Sequence, residues 1–256
     1  MNRIDQLFAT RKQGILNIYC TAGFPNLDDT LPVMTALQAH GADMIELGMP
    51  FSDPLADGPV IQDSSTRALH NGMSLKKLFA QLKNFRENIH VPVILMGYLN
   101  PVMQFGVERF LQQCAETGVD GLILPDLPMA EYEQEYRPLF EKYGLHLIFL
   151  VTPETSDARI RQIDALSRGF VYAVSSSSTT GKDKDMKGQQ AYFERLKSLQ
   201  LKNPVLIGFG IKDKSTFDAA CAYSNGAIIG TAFIKALENT TNLDGTVKTF
   251  IQSVRQ

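Results

Sequence analysis

The chain has 256 residues, 44% of them apolar and 20% charged, a composition that folds and is too apolar to stay disordered. Its 25 basic and 27 acidic residues leave a net charge of −2, so no broad positive field is present to hold nucleic acid or an anionic membrane surface. Cys20, Cys114 and Cys221 are odd in number, far apart and without Cys-x-x-Cys spacing. That argues against a disulfide framework and a zinc site and predicts a reducing, cytoplasmic setting. Met1 to Lys12 carries charges at Arg3, Asp5, Arg11 and Lys12 with no signal-like apolar run, and no segment reaches roughly twenty unbroken apolar residues.

Eight short runs rich in Ile, Val, Leu and aromatics recur along the chain. They are Ile15–Cys20, Met44–Gly48, Val93–Tyr98, Gly121–Asp126, His146–Val151, Val171–Ser175, Val205–Gly210 and Ala227–Ala232. Most are continuously apolar where a half-exposed strand would alternate, which predicts strands buried on both faces. Amphipathic stretches between them, Thr30–His40, Val107–Thr117, Glu131–Tyr143 and Thr216–Tyr223, predict helices, several with Gly just past the last turn. Parallel strands need crossovers of a dozen or more residues, and every gap is long enough. The pattern predicts a single (β/α)8 barrel domain over residues 1–256, with an additional N-terminal helix. A doubly wound sheet would want a Gly-rich fingerprint after the first strand, and Cys20-Thr21-Ala22-Gly23-Phe24-Pro25 lacks it. Two long connections, Met49–Gln62 after the second run and Ser176–Gln190 after the sixth, emerge on the face where barrel enzymes place their chemistry and are candidate lids.

Two carboxylates draw attention. Glu46 lies inside the apolar second strand, so it is either a satisfied structural acid or a catalytic group with a raised pKa. Asp57, in Asp53-Pro54-Leu55-Ala56-Asp57-Gly58, reads equally as a turn residue before Gly. Glycines cluster at three strand ends: Gly181, Gly208 with Gly210, and Gly230 before Thr231. That matches a barrel phosphate site, where backbone N–H groups approach the oxygens, although any one glycine reads as strand termination. His40, His70, His90 and His146 have no converging spacing, so no metal site is predicted. The Ser175–Ser178 run with Thr179 and Thr180 lacks a G-x-S-x-G elbow. With no Lys in a predicted strand, a Schiff-base route would fall to Lys182 or Lys184 in the loop, and general acid–base chemistry leads.

The segment from Glu46 through Gly48-Met49-Pro50-Phe51-Ser52-Asp53-Pro54-Leu55-Ala56-Asp57-Gly58 to Pro59 closely resembles the signature of the tryptophan synthase α-subunit family. Thr21-Ala22-Gly23, Tyr98-Leu99-Asn100-Pro101, Asp126-Leu127-Pro128, Tyr172 with Thr180-Gly181, and Gly208-Phe209-Gly210 extend the resemblance along nearly the whole chain. It implies retro-aldol cleavage of indole-3-glycerol phosphate to indole and glyceraldehyde 3-phosphate, with no metal or organic cofactor in this subunit. By position Glu46 would be the acid/base, Asp57 the carboxylate at the indole N–H, and Tyr172 a tyrosine near Glu46. Tyr19, Tyr98, Ile123, Leu124, Leu150 and Phe209 would line the indole pocket. Thr180, Gly181, Gly208, Gly210, Gly230 and Thr231 would hold phosphate. The resemblance further implies a pyridoxal-phosphate β subunit in an α2β2 assembly, with Pro50 and Asp53 on the communicating surface. Thr231 stands where the family commonly has Ser and keeps a hydroxyl. Ser178 stands where many members have Gly, an exchange of a permissive backbone for a stiffer one that is expected to change how readily the Ser176–Lys187 loop closes. Rival expectations are another sugar-phosphate barrel isomerase or epimerase, and a silent activating subunit.

Overall fold

A computed structural model describes residues 1–174, 186–208 and 210–256. Among them lie nine strand segments: β1 (Ile15–Thr21), β2 (Met44–Gly48), β3 (Val93–Met96), β4 (Gly121–Ile123), β5 (His146–Ile148), β6 (Leu150–Val151), β7 (Val171–Val174), β8 (Val205–Gly208) and β9 (Gly226–Ile229). All pair in parallel, in the order β5-β4-β3-β2-β1-β9-β8-β7-β6. The two ends of that order are halves of one predicted strand. β5 pairs with β4 and β6 with β7, while the Phe149 carbonyl between them accepts from the Tyr172 N–H at 3.0 Å. The eight expected strands therefore form a barrel that closes through a fifth strand split at Phe149.

Several expected strand ends are trimmed. β3 stops at Met96 and β4 at Ile123, because Leu99–Phe105 begins a helix whose first N–H, that of Leu99, is accepted by the Asp126 carboxylate at 2.9 and 3.0 Å. The last strand ends at Ile229, since Thr231 opens the helix Thr231–Leu237. The loop after β2 also ends early. Pro59 sits at the first position of the helix Pro59–His70, where its fixed φ suits the helix and its missing N–H is no loss. The helix Met186–Ser198 likewise starts inside the second expected loop.

Thr30–His40 and Val107–Thr117 are helices over the expected spans, ended by Gly41 and Gly118 at φ 107° and 92°, a backbone region that favours glycine. Thr216–Tyr223 appears as Lys214–Cys221, shifted toward the N-terminus because the Asp213 carboxylate accepts the Thr216 N–H at 2.9 Å and starts the helix earlier. Glu131–Tyr143 is interrupted. A short turn at Met129–Glu131 passes into a π-helical stretch, Tyr132–Tyr136, before the helix Arg137–Tyr143. Pro138 has no N–H to return to the preceding turn, so that turn closes one residue wider.

Alternation along the strands divides the core in two. Outward residues pack under the helices, and inward residues fill the barrel with a second cluster that includes Met44, Ile94, Ile123, Ile148, Tyr172, Leu206 and Ile228. The N-terminal helix Arg3–Thr10 plugs the bottom of this inner layer with Ile4 and Phe8, whose ring lies 6.1 Å from that of Phe170. At the same end Asp120, only 3% exposed, takes the Val93 N–H at 2.8 Å and pairs with Arg86 and with Arg3, the latter at 3.1 Å. Removing that carboxylate strands the buried Arg86. Asp120→Ala is expected to lower stability by about 3–5 kcal/mol in urea unfolding, with activity per folded molecule unchanged because the site lies at the other end.

Candidate active site

The inner face of β2 carries Met44, Glu46 and Gly48, and the inner face of β1 carries Ile15, Asn17 and Tyr19. Glu46 is 1% exposed. Its Oε2 accepts the Asn17 amide N–H at 3.1 Å. Burial pushes its pKa up to about 8; the Asn17 hydrogen bond opposes that rise and the charge of Asp57 adds to it. At neutral pH Glu46 therefore holds its proton.

Asp57 lies just beyond β2, half-buried, with Oδ2 accepting from the Tyr98 hydroxyl at 2.9 Å. Burial lifts its pKa to about 6 and the Tyr98 hydrogen bond resists the shift, so at neutral pH it is ionised. The same hydroxyl accepts the Ala56 N–H at 3.0 Å, and the Phe51 ring lies 5.4 Å from the Tyr98 ring. Tyr98 thus pins both the loop and its carboxylate to the end of β3. A proton-bearing acid beside an ionised one is an arrangement suited to general acid–base chemistry.

Two tyrosines complete the interior. Tyr19 and Tyr172 are buried, and each lies against a glycine. A Cβ on Gly48 would meet the Tyr19 hydroxyl at 2.1 Å, and one on Gly208 would meet the Tyr172 hydroxyl at 2.4 Å. No side chain other than hydrogen fits at either position. Burial, with the charges of Glu46 and Asp57 nearby, raises the Tyr172 pKa well above its usual value, so this phenol stays neutral.

The remaining expected residues separate. Ile123 belongs to the barrel interior with Tyr172. Leu124 and Leu150 line a cavity of about 270 Å³ with Asp126, Phe149, Arg159 and Ile163, to which neither Glu46 nor Asp57 contributes, and Leu150 also packs against the inner cluster with Ile123 and Tyr172. Gly208 ends β8, Gly210 has φ 79°, and Gly230 precedes the exposed Thr231 at the start of its helix. Pro50 is half-buried, while Asp53 is exposed in a loop that also holds Leu55 at 89% exposure. Ser178, Thr180, Gly181, Lys182, Lys184 and Phe209 lie outside the described residues. Sequence reasoning passed over Asn17, whose signal was a lone amide two residues before Tyr19 in an apolar strand, hence on the same face.

Among the described residues no three His, Cys, Asp or Glu side chains are grouped to hold a metal ion, and no helix is long and apolar enough to cross a membrane.

A family model described as tryptophan synthase alpha chain matches residues 6–256. The chain is 52% identical over 257 residues to the tryptophan synthase alpha chain of Parabacteroides distasonis and 54% identical over 256 residues to that of Flavobacterium johnsoniae, covering 100% of each chain in both cases. The fold is similar to the crystal structure of tryptophan synthase subunit alpha from Legionella pneumophila, with a TM-score of 0.89 and 36% identity over 100% of this chain and 98% of that one.

The buried carboxyl also affects stability. The unfolded chain releases the Glu46 proton near 4.5 and the folded chain near 8, so between those values the folded state binds more protons and loses stability as pH rises. Glu46→Gln has no proton to lose. Its stability relative to wild type, followed by denaturant unfolding across that window, is expected to increase with pH; a difference that stays constant would place an ordinary carboxylate there.

Proposed function

The chain belongs to the tryptophan synthase alpha chain family, and from that premise we propose that Glu46 and Asp57 carry the family's lyase chemistry between them. The reaction is cleavage of indole-3-glycerol phosphate to indole and glyceraldehyde 3-phosphate. The observation that carries the assignment of roles is the difference in setting of the two carboxyl groups: Glu46 is 1% exposed inside β2, where burial keeps its proton on, while Asp57 is half-buried and accepts from the Tyr98 hydroxyl, so it ionises first.

Glu46, as the acid, protonates the indole carbon that bears the side chain. The ring becomes an indolenine with positive charge at nitrogen, and its N–H donates to the Asp57 carboxylate. Stabilising charge that exists only along the reaction path lowers the barrier without tightening ground-state binding. Glu46, now a carboxylate, takes the proton of the hydroxyl on the adjoining side-chain carbon. The carbon–carbon bond breaks, its electron pair returns to the ring, the hydroxyl carbon becomes the aldehyde, and Glu46 ends protonated as it began. Tyr172 and Tyr19 bound the reacting volume with neutral phenols that do not compete for the proton.

Backbone N–H groups at Gly208, Gly210, Gly230 and Thr231, together with Thr180 and Gly181, bind the phosphate. Tyr19, Tyr98, Ile123 and Phe209 bound the indole, with Leu124 and Leu150 toward the adjoining cavity. The subunit uses no cofactor of its own. An alpha chain implies a beta partner, which in this reading is a pyridoxal-phosphate β subunit in an α2β2 assembly in the cytoplasm. The exposed loop with Pro50, Asp53 and Leu55 faces it and passes indole on.

Indole release from indole-3-glycerol phosphate, followed in the presence of chelator, tests the roles. Glu46→Gln is expected to lower kcat by about 10²–10⁴-fold and Asp57→Asn by about 10²–10³-fold. The wild-type kcat/KM should rise with pH as Asp57 ionises near 6 and fall as Glu46 ionises near 8. Release that survives either substitution, or that stops on chelation, would point to a different barrel chemistry.

A further inference from the structure

Asn17 is fully buried in the middle of β1, between Leu16 and Ile18 and in register with Met44 on one side and Ile228 on the other. An amide in such surroundings is unfavourable unless hydrogen-bonded. Among the described residues its side chain has one partner, the Glu46 carboxyl, which takes the Nδ2–H at 3.1 Å; its Oδ1 is buried and meets no donor. The amide therefore completes no turn, cap or sheet edge there.

A group that gives and recovers a proton changes its hydrogen-bonding character twice per turnover. As a carboxylate Glu46 only accepts, and as a carboxylic acid it also donates. A primary amide matches both states with one shape, since rotation by half a turn about its terminal bond exchanges N–H for C=O at the same place. Resting on the roles given above for Glu46, we propose that Asn17 is the positioning residue for that carboxyl, offering Nδ2–H to the ionised form and the otherwise unpartnered Oδ1 to the protonated form. A hydrophobic residue at position 17 would fill the same space but leave Glu46 unanchored in both states.

The other titratable groups around Glu46 titrate away from about 8. Asp57 titrates near 6, Cys20 on β1 is pushed up to about 12, and Tyr19 on β1 and Tyr172 on β7 are raised above their usual value. On β3 the register partner is Ile94.

In Asn17→Leu and Asn17→Asp the alkaline limb of the kcat/KM profile is expected to move up by about one pH unit, because the N–H bond to the ionised form is charge-assisted and outweighs the bond to the protonated form, so its loss costs the carboxylate more. At neutral pH kcat should fall about tenfold with KM little changed, as Asn17 acts through the Glu46 carboxyl. A lower melting temperature with the limb unmoved would make the residue merely structural and overturn the proposal. Should neither variant fold, the side-chain amide resonance of Asn17 in the wild-type chain decides: it should titrate with the midpoint of Glu46 and become flat in Glu46→Gln, and a flat wild-type response would overturn it. Inactive Glu46→Gln with an unmoved Asn17→Leu limb defeats the Asn17 claim alone, whereas active Glu46→Gln defeats the assignment of Glu46 as well.

Discussion

A carboxyl group inside a closed parallel barrel has few ways to be satisfied. The strand backbones are engaged with one another, and the alternating inward side chains around Glu46 are largely aliphatic and aromatic. The inner cluster with Met44, Ile94 and Tyr172, closed beneath by Ile4 and Phe8, leaves it 1% exposed to the solvent that would hold the ionised form. With one amide as its observed partner, the carboxyl keeps its proton to about 8. Barrel closure at Phe149, the paired glycines that admit the tyrosine rings, and the N-terminal plug all maintain this dry interior.

The two faces of the barrel then divide their tasks. At the N-terminal end, Asp120 with Arg86 and Arg3, and Asp43 with Arg11 and Arg255, tie the terminal helices to strand beginnings. At the C-terminal end, side chains hold loops in place without covering them. Tyr98 fixes the segment that carries Asp57 and leaves that carboxylate half-open, so it ionises at a pH where Glu46 does not. A difference of environment over one strand and its following loop is enough to give two similar side chains opposite charge states.

Much of this was legible in the chain. Continuous apolar runs located all eight strands, since burial on both faces erases alternation, and glycines in the left-handed region marked the ends of Thr30–His40 and Val107–Thr117. The break at Phe149 was not legible, because the run from Leu147 to Val151 is apolar straight through it. The π-turn before Arg137 was signalled by Pro138, but amphipathic spacing alone read as one helix. In the site, a carboxylate in an apolar strand was conspicuous, whereas its amide partner was not, because a contact between neighbouring strands depends on their register. Tyr98 reads from the sequence as a pocket wall, and its hydrogen bonds to Asp57 and Ala56 depend on how the loop after β2 folds back, which spacing does not specify. Leu124 falls past the end of β4, which turns it away from Ile123 toward the adjoining cavity.

The most direct test of this account is the protonation state of Glu46 itself. In the chain labelled with carbon-13 at glutamate carboxyls, the resonance missing from Glu46→Gln should titrate near 8. Titration of that resonance near 4.5, the ordinary value for a solvated carboxyl, would contradict a dry barrel interior and with it the acid that begins the reaction.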